Sequence, residues 1–272
     1  VTRPRTPRRA QARLGTFVEI EADACGDAAS IDAAFAVIAR VEREMSFHDP
    51  ASALSRLNRA AWQGPQPVSP WLERVLRTAR RLHRDSGGVF DPSVAGHLVA
   101  AGLLPAPDGP EPDPGACFGD VVIEPGRVRF LRRLWLDLGG IAKGFAVDAA
   151  VLTLRRLGLR AGIVNAGGDL RVFGPEPRTI HRRDADDPGR GVPIGRLASG
   201  ACATSGGDFS AGAADLWPVF APCGARLTRR GSVTVIAPRC ILADGLTKVA
   251  ALMPAEEAAR VLDRYGARLV AP

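Results

Sequence analysis

The chain has 272 residues, 46% of them hydrophobic, enough to bury a sizeable core as one large domain or two intimate lobes. No apolar run approaches the roughly 20 residues that a membrane-spanning helix needs. Five arginines before residue 14 supply most of the +7 net charge, and with only 6% aromatic residues the rest lacks the basic, stacking surface of a nucleic-acid binder.

The segment Val1 to Arg13 carries Arg3, Arg5, Arg8, Arg9 and Arg13 with no apolar stretch behind it. It reads as a basic disordered tail over residues 1–13, ahead of one domain over 14–272. As the chain stands this segment is no secretory leader, which implies a cytoplasmic protein; a leader lost upstream would imply the periplasm or a membrane-associated place. Five cysteines (Cys25, Cys117, Cys202, Cys223, Cys240) form no CxxC pair and are odd in number, the pattern of free thiols in a reducing compartment and not of a zinc site.

Gly15 to Ala22 alternates like a half-buried strand. Ser30 reads as the cap of a helix whose apolar side is Ala33, Phe35, Val37, Ile38, Val41 and Met45. Ser69-Pro70 opens a second helix, with Trp71, Val75, Leu76 and Leu82 at helical spacing and Gly87-Gly88 closing it. Leu104 to Gly115 is a Pro-, Asp- and Gly-rich loop. A helix begins at Ile141 and stops near Gly158. Gly162 to Ala166 and Leu170 to Phe173 read as strands separated by Gly167-Gly168. Gly174 to Arg196 reads as a polar connection, Ser232 to Ala237 as a strand, and Ala255 to Arg264 as an amphipathic helix, with Leu269-Val270 ending on a strand. Interleaved strands and helices without repeats predict a single mixed α/β (α+β) domain.

One stretch stands out, Leu136-Asp137-Leu138-Gly139-Gly140-Ile141-Ala142-Lys143-Gly144-Phe145-Ala146-Val147-Asp148. Adjacent glycines let a backbone approach a ligand, and amides at a helix start favour an anion. A cation in the first turn opposes the helix dipole, so Lys143 calls for a negative partner such as phosphate. Lys143 and Lys248 are the only lysines, against 34 arginines, which marks both as places where a compact ammonium is needed. In Ala243-Asp244-Gly245-Leu246-Thr247-Lys248 a carboxylate and a hydroxyl three residues apart share a helix face, suited to a hard cation held partly by substrate phosphates; the plainer reading is an N-cap aspartate.

The order and wording of these segments resemble the ApbE family of FAD:protein FMN transferases. The matching elements are Leu14-Gly15-Thr16, MSFHDPASALSRLN from Met45, GVFDPSV from Gly88 and DLGGIAKGFAVD from Asp137, followed by VNAGGD from Val164, ATSGGDFS from Ala203 and SVTVIAPRCILADGLTK from Ser232. The resemblance implies Mg²⁺-dependent (or other divalent) cleavage of FAD, with FMN passed through a phosphoester to a Thr or Ser of a partner flavoprotein and AMP released. By motif position, Leu14, His48, Val89, Phe90 and Asp91 would line the FAD site, as would Val219. Asp137 and Lys143 would contact FAD, Gly140 would offer its carbonyl to the metal, and Asp244 and Thr247 would be side-chain ligands. Asp244, Thr247 and Lys248 would make up the catalytic set.

Two departures from the family pattern bear on mechanism. The hydroxyl usual four residues after the metal-binding Asp is here Lys248, whose ammonium can partly replace metal charge or compete with the metal. A His-x-x-Asp-Pro-x-x-Gly segment usual before the SVTVIA strand is represented by Asp215 to Gly224, with Trp217 and Phe220 at the His and Asp positions. That leaves Asp208, Asp215 or a metal-bound hydroxyl to take the acceptor's proton. FAD pyrophosphatase activity and FAD binding without catalysis are the alternatives to transfer.

Overall fold

The computed structural model describes residues 7–23, 27–183, 190–206, 216–220, 226–230 and 232–270. In chain order its elements are β1 (Arg8–Arg13), β2 (Thr16–Ala22), α1 (Ala28–Met45), α2 (Ala53–Ala60), β3 (Gln66–Pro67), α3 (Pro70–Asp85), α4 (Ala95–Ala100), β4 (Val121–Glu124), β5 (Arg127–Phe130) and α5 (Ala142–Arg156). There follow β6 (Gly162–Ala166), β7 (Asp169–Phe173), β8 (Arg178–Arg183), β9 (Gly191–Leu197), β10 (Gly200–Ser205), β11 (Leu216–Phe220), β12 (Arg226–Arg230), β13 (Val233–Ala237), α6 (Cys240–Leu252), α7 (Ala255–Arg264) and β14 (Arg268–Leu269).

Seven strands form the main sheet in the order β1-β2-β6-β7-β10-β13-β14, every neighbouring pair antiparallel. The period of two in strand side chains divides its residues between two cores. Val18, Ile20, Val164, Ala166, Ala201, Ala203, Val235 and Ala237 join Ile31 and Ile38 of α1, Val147 of α5 and Leu246 of α6 in the large core. Their alternates Ile163, Leu170, Val172, Cys202 and Ile236 face the other way, onto Ile180, Ile194 and Leu197 of the β8–β9 hairpin. Helices α1, α5 and α6 thus cover one face, and a hairpin covers part of the other.

The mixed α+β class expected of the sequence is the one found. Three local expectations change. Asp27, not Ser30, caps α1: its carboxylate accepts the Ser30 amide at 2.7 Å, and Ser30 itself is buried inside the helix. The segment Gly174 to Arg196 is no plain connection, since Ile180 and Ile194 give it enough apolar surface to lie on the sheet as β8 and β9. The disordered tail expected over residues 1–13 does not hold for 8–13, which form β1. Arg8 to Arg13 pair with β2 through a tight turn in which Leu14 and Gly15 both have positive φ, 56° and 70°. Polar strands suit a sheet edge, because only one side of the backbone is paired and arginine keeps that edge soluble. Among the described residues no helix is long and apolar enough to cross a membrane.

Candidate active site

The site is built where α5 and α6 cross. Neither helix has a side-chain cap of its own. Instead each caps the other. Asp244, inside α6, accepts the amide of Gly144 in the first turn of α5 at 3.0 Å. Asp148 of α5 accepts the amides of Cys240 and Ile241, the first residues of α6, at 2.9 and 3.0 Å. Such closeness requires glycine at 144: a Cβ there would stand 2.3 Å from the Cys240 carbonyl oxygen and 2.8 Å from the Asp244 Cβ. The anion expected at the start of α5 is therefore already present as the Asp244 carboxylate. Asp244 is not the N-cap that its sequence also allowed, since it lies mid-helix and fully buried.

Around Asp244 the two lysines converge. Lys143 pairs with the Asp169 carboxylate, and its Nζ lies 3.9 Å from Asp244 Oδ2. Lys248 Nζ donates to Asp244 Oδ1 at 2.6 Å, to the Asp244 carbonyl at 3.2 Å and to Ser205 Oγ at 3.1 Å. Thr247 Oγ1 donates to the Asp244 carbonyl at 2.6 Å and lies 2.7 Å from Ser205 Oγ. Both carboxylates are buried, whereas the Lys143 and Lys248 side chains keep 31% and 23% of their exposure, so the cations are what the cluster presents to a ligand.

Burial opposes every charge here, and the partners decide the outcome. Desolvation would depress Lys143, but Asp244 and Asp169 hold it above the ordinary lysine range. Desolvation would raise Asp244, yet Lys143 and Lys248 keep it below the usual carboxylate value. Asp169 is pushed up to about 6 by desolvation and by the Asp244 charge, against the pull of both lysines.

Of the residues singled out by sequence, Gly140, Asp137, Lys143, Asp244, Thr247 and Lys248 come together. Asp137 is half-buried and accepts the Gly139 amide at 3.1 Å. Burial raises its pKa, opposed by that bond and by nearby positive charge; His48 is exposed, between α1 and α2. The lysine stem explains Gly140, where a Cβ would meet Lys248 Cε at 3.1 Å.

The GVFDPSV segment is tied to this turn through the backbone, Asp137 donating to the Pro92 carbonyl at 2.9 Å. Its side chains are engaged elsewhere. Phe90 is buried in the core, and Val89 before it is half-buried. Asp91 is buried and accepts the Ser93 amide and hydroxyl at 2.8 and 2.6 Å. Leu14 occupies the β1–β2 turn, packs on the large core and donates its amide to Glu42 at 2.8 Å. Val219, Trp217 and Phe220 lie in β11, of which the backbone alone is described, and Asp208 and Asp215 lie outside the described residues.

Three contributors were not picked out from the sequence as site residues: Asp169, Ser205 and Asp148. The first two stand at strand ends in VNAGGD and ATSGGD, and those repeated Gly-Gly-Asp endings were their only signal. A cavity of about 540 Å³ lies on the opposite face of the sheet, lined by Leu170, Ile180, Ile194 and Cys202, and none of the lysine–aspartate cluster lines it.

The divalent ion implied by the family resemblance can be tested against these atoms. The donors are hard oxygens, as Mg²⁺ prefers. Both Asp244 oxygens, however, are engaged: Oδ1 by Lys248, and Oδ2 by the Gly144 amide with Lys143 near it. A dication on Asp244 would sit within about 4 Å of an ammonium, a repulsion of about 8 kcal/mol at the effective dielectric of a partly buried site. As the chain stands, its residues do not fit a divalent ion.

Comparison with known proteins places this geometry in a family. The chain is 30% identical over 279 residues to the FAD:protein FMN transferase of Rhodobacter capsulatus, covering 94% of this chain and 53% of that protein. It is 28% identical over 191 residues to the FAD:protein FMN transferase of Treponema pallidum (strain Nichols), covering 63% of this chain and 53% of that protein. It thus spans about half the length of these two curated relatives. The solved structure of the flavin transferase ApbE from Vibrio cholerae superposes with a TM-score of 0.79 at 23% identity, over 97% of this chain and 93% of that one, so the fold is shared. A model of the ApbE family matches residues 14–270, and the chain belongs to the ApbE family.

Proposed function

We propose that this chain binds FAD at the lysine–aspartate cluster and transfers its FMN half to a Thr or Ser hydroxyl of a partner flavoprotein, releasing AMP. The observation that carries the reading is the convergence of the only two lysines on two buried aspartates beside the Gly139-Gly140 turn. The names of the Rhodobacter and Treponema relatives support it.

In the reaction the acceptor hydroxyl oxygen forms a bond to the FMN-side phosphorus. The bond from that phosphorus to the bridging oxygen breaks, AMP leaves with the bridging oxygen, and the acceptor's proton passes to the leaving phosphate or to solvent. Charge builds on the phosphoryl oxygens and on the leaving AMP, so catalysis needs fixed positive charge more than covalent help. Lys143 and Lys248 supply it. Asp169 and Asp244 hold both ammoniums in place, which lowers the reorganisation needed when the pyrophosphate arrives. No step is assigned to a metal ion, because the Asp244 carboxylate that would hold it is engaged by Lys248 and by the Gly144 amide.

The test mixes the protein with FAD and a carrier bearing an acceptor Thr, and follows AMP release and carrier mass together. A carrier heavier by one FMN, formed with equimolar AMP, is the expected result. AMP with an unmodified carrier would convert the reading to an FAD pyrophosphatase. Bound FAD without AMP would leave a flavin-binding protein.

A further inference from the structure

We infer that the Lys248 ammonium is the resident cation of this site, standing where a divalent ion would otherwise bridge Asp244 and the pyrophosphate. The inference rests on the FAD reading above for its ligand, but its geometry is independent of it. An ammonium has three N–H donors, and Lys248 places three oxygens around them: Asp244 Oδ1 at 2.6 Å, Ser205 Oγ at 3.1 Å and the Asp244 carbonyl at 3.2 Å. Thr247 Oγ1 closes the same cluster through Ser205 at 2.7 Å. The stem lies against Gly140, the residue whose carbonyl the family resemblance gives to the metal. Every group expected to hold the ion therefore touches Lys248 or one of its partners.

A plain surface pair four residues apart on a helix would look different. Such pairs are solvated on both sides, whereas Asp244 is fully buried and Lys248 alone reaches the surface. The ammonium also meets two acceptors besides the carboxylate oxygen, one of them on another element, β10. Its charge is single where a metal's would be double, and Lys143, paired with Asp169, stands beside it 3.9 Å from the far oxygen of Asp244.

The experiment compares the wild-type protein with Lys248→Thr, which removes the ammonium and restores a hydroxyl four residues after Asp244. Mn²⁺ uptake is titrated by electron paramagnetic resonance, with and without FAD, and AMP release is measured in EDTA and in Mg²⁺. Wild type is expected to take up no stoichiometric Mn²⁺ and to release AMP equally in both buffers. Lys248→Thr is expected to take up Mn²⁺, to lose about a hundredfold in EDTA and to recover in Mg²⁺. Equal Mn²⁺ uptake by the two proteins, whether both bind or neither does, overturns the inference. So does a wild type whose AMP release is abolished by EDTA and restored by Mg²⁺. If neither protein releases AMP in any buffer the transferase reading fails, and the Mn²⁺ comparison still decides this one. Should Lys248→Thr not fold, Lys248→Gln keeps most of the stem, offers an oxygen and replaces it in the same comparison.

Discussion

Gly144→Ala separates two physical accounts because they predict opposite signs. Helix propensity alone makes the variant more stable by about 1 kcal/mol, since alanine is the better helix former. The crossing of α5 and α6 says otherwise. The new Cβ would stand 2.3 Å from the Cys240 carbonyl oxygen, short of a comfortable contact by about 1 Å. That carbonyl cannot swing aside freely, because the Cys240 amide is anchored on Asp148 at 2.9 Å. The helices must part, at about 1–3 kcal/mol for overpacking. Parting them stretches the bond from the Gly144 amide to Asp244, worth about 1.5–3 kcal/mol as a bond to a charged group. Net of the propensity gain, the variant should be less stable by roughly 3 kcal/mol, a fall in melting temperature of roughly 6–12 °C for a chain of this size. Gly245→Ala is the control. Its Cβ would meet Leu82 Cδ1 at 2.5 Å, the end of a side chain that can rotate, so it should lose less. Scanning calorimetry of the three proteins reads the order directly. A Gly144→Ala protein that melts at or above the wild-type temperature would refute the reciprocal capping of the two helices.

Lys143→Met keeps the stem and removes the charge, and FAD affinity by flavin fluorescence should fall tenfold or more, about 1.4 kcal/mol; unchanged affinity would take Lys143 out of the site. The pH dependence of stability follows from Asp169, whose carboxyl rises from its ordinary 3.8 to about 6 in the fold. The folded state then holds more protons than the unfolded one between pH 4 and 6, so stability should rise as pH falls through that window and be lost as pH climbs through 6. Asp137, also raised, acts in the same direction, whereas the lowered carboxyls of Asp85 and Asp113 lose their contribution only as pH falls below about 4. Urea midpoints from pH 4 to 7 should show the trend in wild type and a flatter one in Asp169→Asn; parallel curves would refute the assignment. Trp217→His should raise FMN transfer to the carrier, and equal transfer would show that the lost histidine is not what limits this chain.

What could be read locally was legible, and what depended on distant partners was not. The helix from Ser69-Pro70, the helix after Gly140 and the strand ending at Ala237 each carry their own period, cap or glycine stop, and appear within a residue or two of expectation. Strand β1 was hidden because its arginines have no strand period, and pairing with β2 alone makes them extended. The β8–β9 hairpin was hidden because its few isoleucines acquire meaning only against Leu170 and Cys202 of the sheet. At the site, Asp244, Thr247 and Lys248 could be grouped from helical spacing. Asp169 and Ser205 could not, since the register of β7 with β10, at Leu170 opposite Cys202, and the docking of α6 bring them there. Nor could the sequence show that the Phe90 ring packs beside Gly245, with Cε2 3.5 Å from a Cβ built there.

The exchange of carboxylates between α5 and α6 has a consequence for how descent with loss of activity would look in this fold. Asp244 and Asp148 each tie down the start of the other's helix, so selection for mere persistence of the folded chain retains both. A descendant that had abandoned flavin chemistry would keep its aspartates and its Gly144 unchanged. The lysines share that duty, because removing either would leave Asp169 or Asp244 buried without its partner. Survival of the acidic residues, and of the two ammoniums that neutralise them, therefore records the architecture of the helix crossing before it records use.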